Sequence, residues 1–467
     1  MHFLEQARAF TRKPEGFFVA VSSLFGLLFL FTFPPLQTPD EASHFLRTYQ
    51  VSQLDFVPIT HGGLPGGYLP ASIGNTIELL DTNPSLRFHP EIKYDIHRTK
   101  AALNMPLEKT DAIFIPGVAN YPPIGYVPQA IGVAMGALFN LPAVALMYIA
   151  RAASLVTWIF LVFMAIKLVP QKKWAFVGVG LLPMLLSQAI SPGIDAVSIG
   201  LAVLFIAVVL RLKSAKKVST KWLILMILLA SLIALTKQTG ILVLGFIFLL
   251  RTDQFDKDKL RAIAKKLLVV TIPILLFISW MSLTIHLDGA GTSVSGQNSS
   301  AQLVNILQHP FRFIQVMFNT FFTGWGDEVI RSFVGNFGWM DTPLAGGIIA
   351  VGYTFIAFLL FVNYNDVSKN LQLSRANMWL VLALVFFYVT GNCIALYLLY
   401  SPVDFSVIYG LQGRYFLLIL FMLIPLFANV ALRISKKKFI STVQVLSLFL
   451  LASSALTIYL RYYITLF

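Results

Sequence analysis

Residues 222–250 read WLILMILLASLIALTKQTGILVLGFIFLL. As one straight α-helix this run would be about 43 Å long at roughly 1.5 Å per residue, well beyond a ~30 Å hydrocarbon core. Both flanks are basic: Arg211, Lys213, Lys216, Lys217 and Lys221 precede it, and Arg251, Lys257, Lys259, Arg261, Lys265 and Lys266 follow. Clustered Lys and Arg hold loops on the cytoplasmic side, so two basic flanks require an even number of crossings. The run is therefore predicted to be a hairpin of short helices, 222–235 and 239–250, with Thr236-Lys237-Gln238-Thr239-Gly240 at its outer tip. The same reasoning makes Trp174–Leu210 a hairpin turning at Ser191-Pro192-Gly193-Ile194-Asp195. Short, broken helices are tolerated in a membrane where their tips line a cavity.

Working outward, the chain is 57% hydrophobic and only 12% charged over 467 residues, more apolar than a soluble core accounts for. Apolar runs predict eleven crossings near 17–33, 144–169, 174–190, 196–210, 222–235, 239–250, 267–285, 344–362, 378–399, 415–433 and 440–459. The fold class is thus an all-α integral membrane protein in a single membrane domain, 1–467, with the N-terminus inside and the C-terminus outside. The first run follows Arg8, Arg12 and Lys13 but is long for a signal peptide. Phe33-Pro34-Pro35-Leu36-Gln37 also offers no small-x-small cleavage site, so a retained helix is expected. The net charge of +14 divides into +17 on the expected cytoplasmic side and −3 on the outer side. That asymmetry reports topology and makes a nucleic-acid partner unnecessary. The single cysteine, Cys393, lies in an apolar run, so no disulfide framework exists.

Two segments are left for the outer face. Residues 34–143 form a long first loop, rich in Pro, Gly, Asp, Glu and His, in which amphipathic and juxtamembrane helices are expected. Residues 286–343 form a second, opening on the run Gly289–Ser300 and continuing through an aromatic-rich amphipathic stretch, Phe311–Trp325. Six of the seven histidines fall in these two segments.

The chemistry-bearing residues gather there too. Directly after the first span comes Pro39-Asp40-Glu41-Ala42-Ser43-His44-Phe45. Two carboxylates at the mouth of a membrane cavity suit general-base work, and the blander reading is that Asp40 caps the helix Glu41–Gln50. Glu41-x-x-His44 also has metal-ligand spacing on a helix, though one such pair is weak. Tyr121-Pro122-Pro123 leads into an apolar stretch too short to span comfortably, read as an interfacial helix on the outer leaflet. Arg151, inside the second span, requires a partner or a ligand. Lys237 and Arg414 end apolar segments on the same side. Arg414 lies in Gly410-Leu-Gln412-Gly413-Arg414-Tyr-Phe416, where glycines permit close backbone approach. Arginine suits a two-pronged grip on phosphate and lysine a point charge, and snorkelling to lipid headgroups is the plain alternative.

Three ordered motifs, Pro39-Asp-Glu-x-x-His-Phe45, Gly335-Asn-Phe-Gly-Trp339-Met-Asp341-Thr342 and Gly410-x-Gln-Gly-Arg-Tyr-Phe416, resemble a bacterial polytopic membrane family catalogued as domain of unknown function 2142. That family is similar to GT-C superfamily glycosyltransferases. The resemblance implies a GT-C-like fold and an inverting transfer of sugar from a polyprenyl-phosphate donor to a glycan or glycolipid acceptor, at the outer face of the bacterial cytoplasmic membrane. It places Asp40, with Glu41, at the catalytic carboxylate. It makes His44, Arg47, Tyr121, Arg151, Asp195, Lys237, Trp339, Asp341, Gln412 and Arg414 candidates for binding substrate. The Asp-x-Asp metal pattern of some members is missing, so metal ligands are unassigned and a divalent ion is the one cofactor left open. A lipid-phosphate sugar carries a good leaving group, so a base for the acceptor hydroxyl and cations for the departing phosphate suffice.

Two other classes explain part of the pattern. A transporter or flippase of a lipid-linked saccharide would also use intramembrane Lys and Arg, but no matching halves stand out in the sequence. A scaffold or receptor explains the topology and leaves the clustered outer charges without a purpose.

Overall fold

The computed structural model describes residues 10–61, 64–81, 85–116, 121–284, 295–364, 373–427 and 432–465. Among them, six helices are long and apolar enough to cross a membrane: α1 (Pro14–Thr32), α6 (Ala143–Leu168), α9 (Asp195–Lys213), α11 (Lys259–Thr284), α16 (Arg375–Tyr400) and α18 (Lys436–Tyr463). The remaining predicted crossings fall on shorter apolar segments. These are α7 (Lys173–Gly180) with α8 (Pro183–Ala189), α10 (Thr220–Ala234), the 3₁₀ helix Gln238–Leu249, α15 (Gly346–Phe361) and Gly413–Leu423, whose second half is α17.

Helix α9 shows why the bundle assembles as it does. Its sequence is apolar all round, which suits a helix with neighbours on every side, and every residue from Ala196 to Leu210 is buried. It packs on α6, α10 and the 3₁₀ helix, while α1 and α18 close the far side of α6 and α7. Helices α1 and α11 turn Leu24, Leu27, Phe31, Leu275, Ile278 and Leu283 outward, a face matched to lipid tails.

Both predicted hairpins are present. The Val218 amide donates to the Gln254 carbonyl at 2.8 Å, and Gln254 Nε2 donates to Leu212 O at 3.1 Å, so the two flanks of 222–250 meet at one end of the bundle. Lys237 occupies the turn at the other end, where its amide donates to Ile233 O. Twelve residues of 3₁₀ helix rise about 24 Å at roughly 2.0 Å per residue, against about 18 Å as α-helix, which lets the short arm reach further. In the other hairpin the helix breaks at Leu181–Leu182, before Pro183, and turns through Ser191–Ile194 into α9.

The long first loop is folded. Helix α2 (Glu41–Ser52) is followed by an antiparallel sheet ordered β1 (Ile59–His61), β2 (Leu64–Pro70), β3 (Ala112–Pro116), with Gly67 opposite Ile115. Helices α3 (Ala71–Leu80) and α4 (Ile96–Leu103) lie between β2 and β3. Phe45, Leu69, Ile73, Leu80 and Ala102 join Val133 and Val144 in one apolar cluster, which seats the loop on α5 (Val127–Leu138) and the start of α6. Helix α5 packs along α6 and α2 and turns Ile131, Met135 and Leu138 outward. In the second loop, residues 286–294 lie outside the described residues. The rest forms α12 (Ser299–Gln308), α13 (Pro310–Asn319) and α14 (Gly326–Val334), then a short ladder of β4 (Asn336–Phe337) with β5 (Thr342–Pro343).

Candidate functional site

The two hairpin tips, the start of α2 and the Gly-Gln-Gly-Arg segment converge at one end of the bundle. Helix α1 ends at Thr32 and the chain turns through three prolines to Asp40, which sits in the left-handed region at φ +59°. Among non-glycine residues, Asp and Asn adopt that conformation most readily. Asp40 stands at the N-cap position, yet its side chain accepts no capping hydrogen bond. The carboxylate is 60% exposed, with Oδ2 at 3.9 Å from Arg414 Nη2, too far for a hydrogen bond.

Glu41 points the other way and is fully buried. Arg151 Nε donates to its Oε1 at 2.5 Å and Arg151 Nη2 to its Oε2 at 2.7 Å, and the Thr38 amide donates to Oε2 at 3.3 Å. Arg151 also donates to the carbonyls of Leu30, Phe33 and Pro34, the loose end of α1. The partner that an intramembrane arginine requires is thus Glu41. Both of its oxygens serve the scaffold that presents Asp40.

Across the mouth, His44 Nδ1 lies 2.7 Å from the Tyr126 hydroxyl, and its ring stacks near Tyr121 with centroids 6.0 Å apart. Burial lowers the imidazole pKa, against the pull of Asp40 and Asp195, so His44 is neutral at physiological pH. Glu41 and His44 share a helix face only in spacing, since one goes to Arg151 and the other to Tyr126. Among the described residues no group of three or more His, Cys, Asp or Glu could hold a metal ion. Arg47 is fully buried and ties α2 to later loops, donating to Gln50 Oε1, to the Phe56 carbonyl and to Tyr121 O.

Lys237 and Asp195, on separate tips, pair at 2.6 Å. Lys237 Nζ and the Arg414 guanidinium each lie 5.2 Å from the centre of the Tyr415 ring, a pair of cation–π contacts. The backbone approach expected at the two glycines is present at Gly413 and absent at Gly410, which instead takes a left-handed φ of +70° with nothing within 4 Å of an added Cβ. A Cβ on Gly413 would stand 2.2 Å from Val329 O, and the Gly413 amide donates to Ser332 Oγ at 2.7 Å. Arg414 itself is 8% exposed. Its Nη2 reaches the Tyr415 hydroxyl at 3.4 Å, and its Nε has no partner among the described residues.

Beneath this mouth lies a narrow cleft, with room for about one water-sized group. Thr38, Ser187, Gln188, Asn336, Gln412 and Arg414 supply its polar lining. Gln412 therefore sits with Arg414, as the motif implied. Trp339 and Asp341 serve a different end of the same loop. Trp339 Nε1 donates to Leu36 O at 3.1 Å, and the Arg87 guanidinium lies 4.6 Å over its ring. Asp341 Oδ2 pairs with Arg461 Nη2 at 2.7 Å, both side chains being 5% exposed. Gln188 and Asn336 escaped the sequence reading. A lone amide inside the apolar run 174–190 was the signal for Gln188, because membrane-buried polar groups need partners. Asn336 lies inside the Gly335–Thr342 motif, where its amide carries no local pattern that marks it for a ligand.

A charged, half-open pocket at one end of a helical bundle with lipid-matched walls defines a polytopic membrane protein. The chain belongs to the family described as Predicted membrane protein (DUF2142), whose model matches residues 23–423. No curated protein matches it significantly.

Proposed function

We propose that the protein is a GT-C-type membrane glycosyltransferase of the bacterial cytoplasmic membrane, moving a sugar from a polyprenyl-phosphate donor to a cell-envelope glycan or glycolipid. In this reading eleven crossings put the N-terminus inside and the site outside, with the 23–423 family region spanning nearly all of the bundle. The observation that carries the reading is the pairing of Asp40 with Arg414. An accessible carboxylate stands 3.9 Å from a buried guanidinium whose Nε has no partner among the described residues, at the end of apolar helices. Asp40 takes the proton of the acceptor hydroxyl while that oxygen bonds to the anomeric carbon. The bond from that carbon to the phosphate oxygen breaks, and the polyprenyl phosphate leaves with its charge held by Arg414. Displacement in one step inverts the anomeric centre. Lys237, bound to Asp195, fixes the two tips and adds positive charge from behind Tyr415.

The broken helix α7–α8 beside the cleft also favours a second reading, transport of a lipid-linked saccharide, since discontinuous helices line transporter sites. Transfer of labelled sugar by purified protein separates the two. Asp40→Asn keeps the left-handed backbone and removes the base, so turnover should fall by roughly 10²–10⁴-fold with the fold intact. Near-normal turnover in that variant would sink the assignment of Asp40.

A further inference from the structure

Two residues that line the cleft each carry a buried atom with no hydrogen-bond partner among the described residues, and the two atoms are of opposite kind. Arg414 Nε is a donor, and Asn336 Oδ1 is an acceptor on a side chain only 5% exposed. The orientation of the Asn336 amide is fixed by chemistry. Its Nδ2 lies 3.1 and 2.9 Å from the Glu328 carboxylate oxygens and 3.0 Å from Met340 O. Those partners accept hydrogen bonds, so turning the amide over would set oxygen against oxygen. Burial pushes the Glu328 carboxyl up to about 7, with Asp327 adding to the rise against the Asn336 hydrogen bond. The Met340 carbonyl keeps its demand for a donor in either protonation state. Oδ1 is therefore left without a donor among the described residues, on a residue that lines the cleft.

Leaving a buried acceptor without a donor is costly, and the penalty is relieved when a ligand brings one. The cleft is too narrow for a sugar ring but wide enough for one hydroxyl. We propose that Asn336 Oδ1, held by Glu328, accepts a hydrogen bond from one hydroxyl of the glycosyl group, so that this cleft sets which lipid-linked sugar is admitted. The ring itself lies at the open mouth beside Asp40, with its phosphate on Arg414. Asn336 is a specificity-determining residue and Glu328 a positioning residue. This inference rests on the glycosyl-phosphate reading above.

The test is binding in detergent, measured calorimetrically, with short-chain prenyl phosphates either bare or carrying glucose, galactose, mannose or arabinose, and with the matching methyl glycosides. Wild type should prefer one glycosylated prenyl phosphate over the bare one. Asn336→Leu should lose about tenfold on that preferred ligand, the worth of one buried hydrogen bond, and stay within about twofold on bare prenyl phosphate. Glu328→Gln leaves Asn336 Nδ2 one side-chain acceptor instead of two beside Met340 O and so loosens its hold on the amide, and it should weaken the sugar preference without removing Asn336. Thermal unfolding of each variant identifies the misfolded ones, and Glu328→Gln serves where Asn336→Leu does not fold. Equal loss on bare and glycosylated ligands, or no loss on either, overturns the proposal. A matching loss on methyl glycosides alone places the hydroxyl on the acceptor and overturns the donor assignment. Wild-type protein that shows the Asn336-dependent preference but no transfer would uphold this cleft and remove the enzyme reading instead.

Discussion

Asp40 and Glu41 are neighbours in sequence and opposites in environment. One is mostly exposed beside a cation; the other has no exposed surface and two short hydrogen bonds to Arg151. The sequence put both at the mouth of the membrane and favoured Asp40 as the base by its place after the first span and by the family motif, without showing what holds Glu41. That division depends on a left-handed residue at 40 and on a partner 110 positions away at 151. Breaking a buried ion pair by removing one charge leaves the other uncompensated, at about 3–5 kcal/mol. Glu41→Gln should therefore lower the unfolding temperature markedly. The double variant Glu41→Gln with Arg151→Met should recover part of the loss in a double-mutant cycle. If Glu41→Gln kept its unfolding temperature and lost transfer as fully as Asp40→Asn, Glu41 would return to the catalytic pair. At the donor phosphate, Arg414→Lys should impair turnover more than Lys237→Arg. An ammonium cannot reproduce the two-pronged guanidinium, and Lys237 is already committed to Asp195. The reverse order in steady-state kinetics would hand the phosphate to Lys237.

Among the elements, the hairpins were the most legible feature of the chain. Basic flanks on both sides of 222–250 demand a return, and the structure brings Val218 and Gln254 together at one end. The expected arms, 222–235 and 239–250, differ from the observed 220–234 and 238–249 by one or two residues. What apolarity could not reveal is that the second arm is 3₁₀, because leucine, isoleucine and phenylalanine fill either kind of helix. Nor could it show the break before Pro183 as anything more than a proline near mid-run. The outer position of the tip is an expectation from the flanking charges, testable on the exposed Gln238. Gln238→Cys, in a background with the buried Cys393 replaced by Ser, should react with an impermeant maleimide added to intact cells. Reaction only after permeabilisation would invert the hairpin and every loop after it.

At the scale of the molecule, the first loop is fastened to the last helix. Arg461 donates to the carbonyls of Leu86, His89 and Ile92 as well as to Asp341, and Lys93 Nζ returns the contact to Arg461 O at 2.9 Å. The Tyr94 amide donates to Tyr462 O at 2.8 Å. Trp339 and Asp341 read as site residues in the sequence because their motif is dense in polar and aromatic groups. Their partners, Leu36 and Arg461, lie 303 and 120 positions away, which no local pattern can report. Arg461→Ala should free the 85–94 segment, so limited trypsin digestion would cut sooner at Arg87 and Lys93. Protection equal to wild type would mean that the loop is held by its apolar seat on α5 alone.

That fastening also sets a schedule. A ribosome makes Asp40 early and Arg461 late, on the order of tens of seconds apart at roughly 5–20 residues per second. Until α18 is made, Asp341 and the Leu86–Ile92 stretch of the first loop have no anchor at Arg461. The contacts that hold residues 86–93 to α18 can therefore form only as a late event in the chain's synthesis.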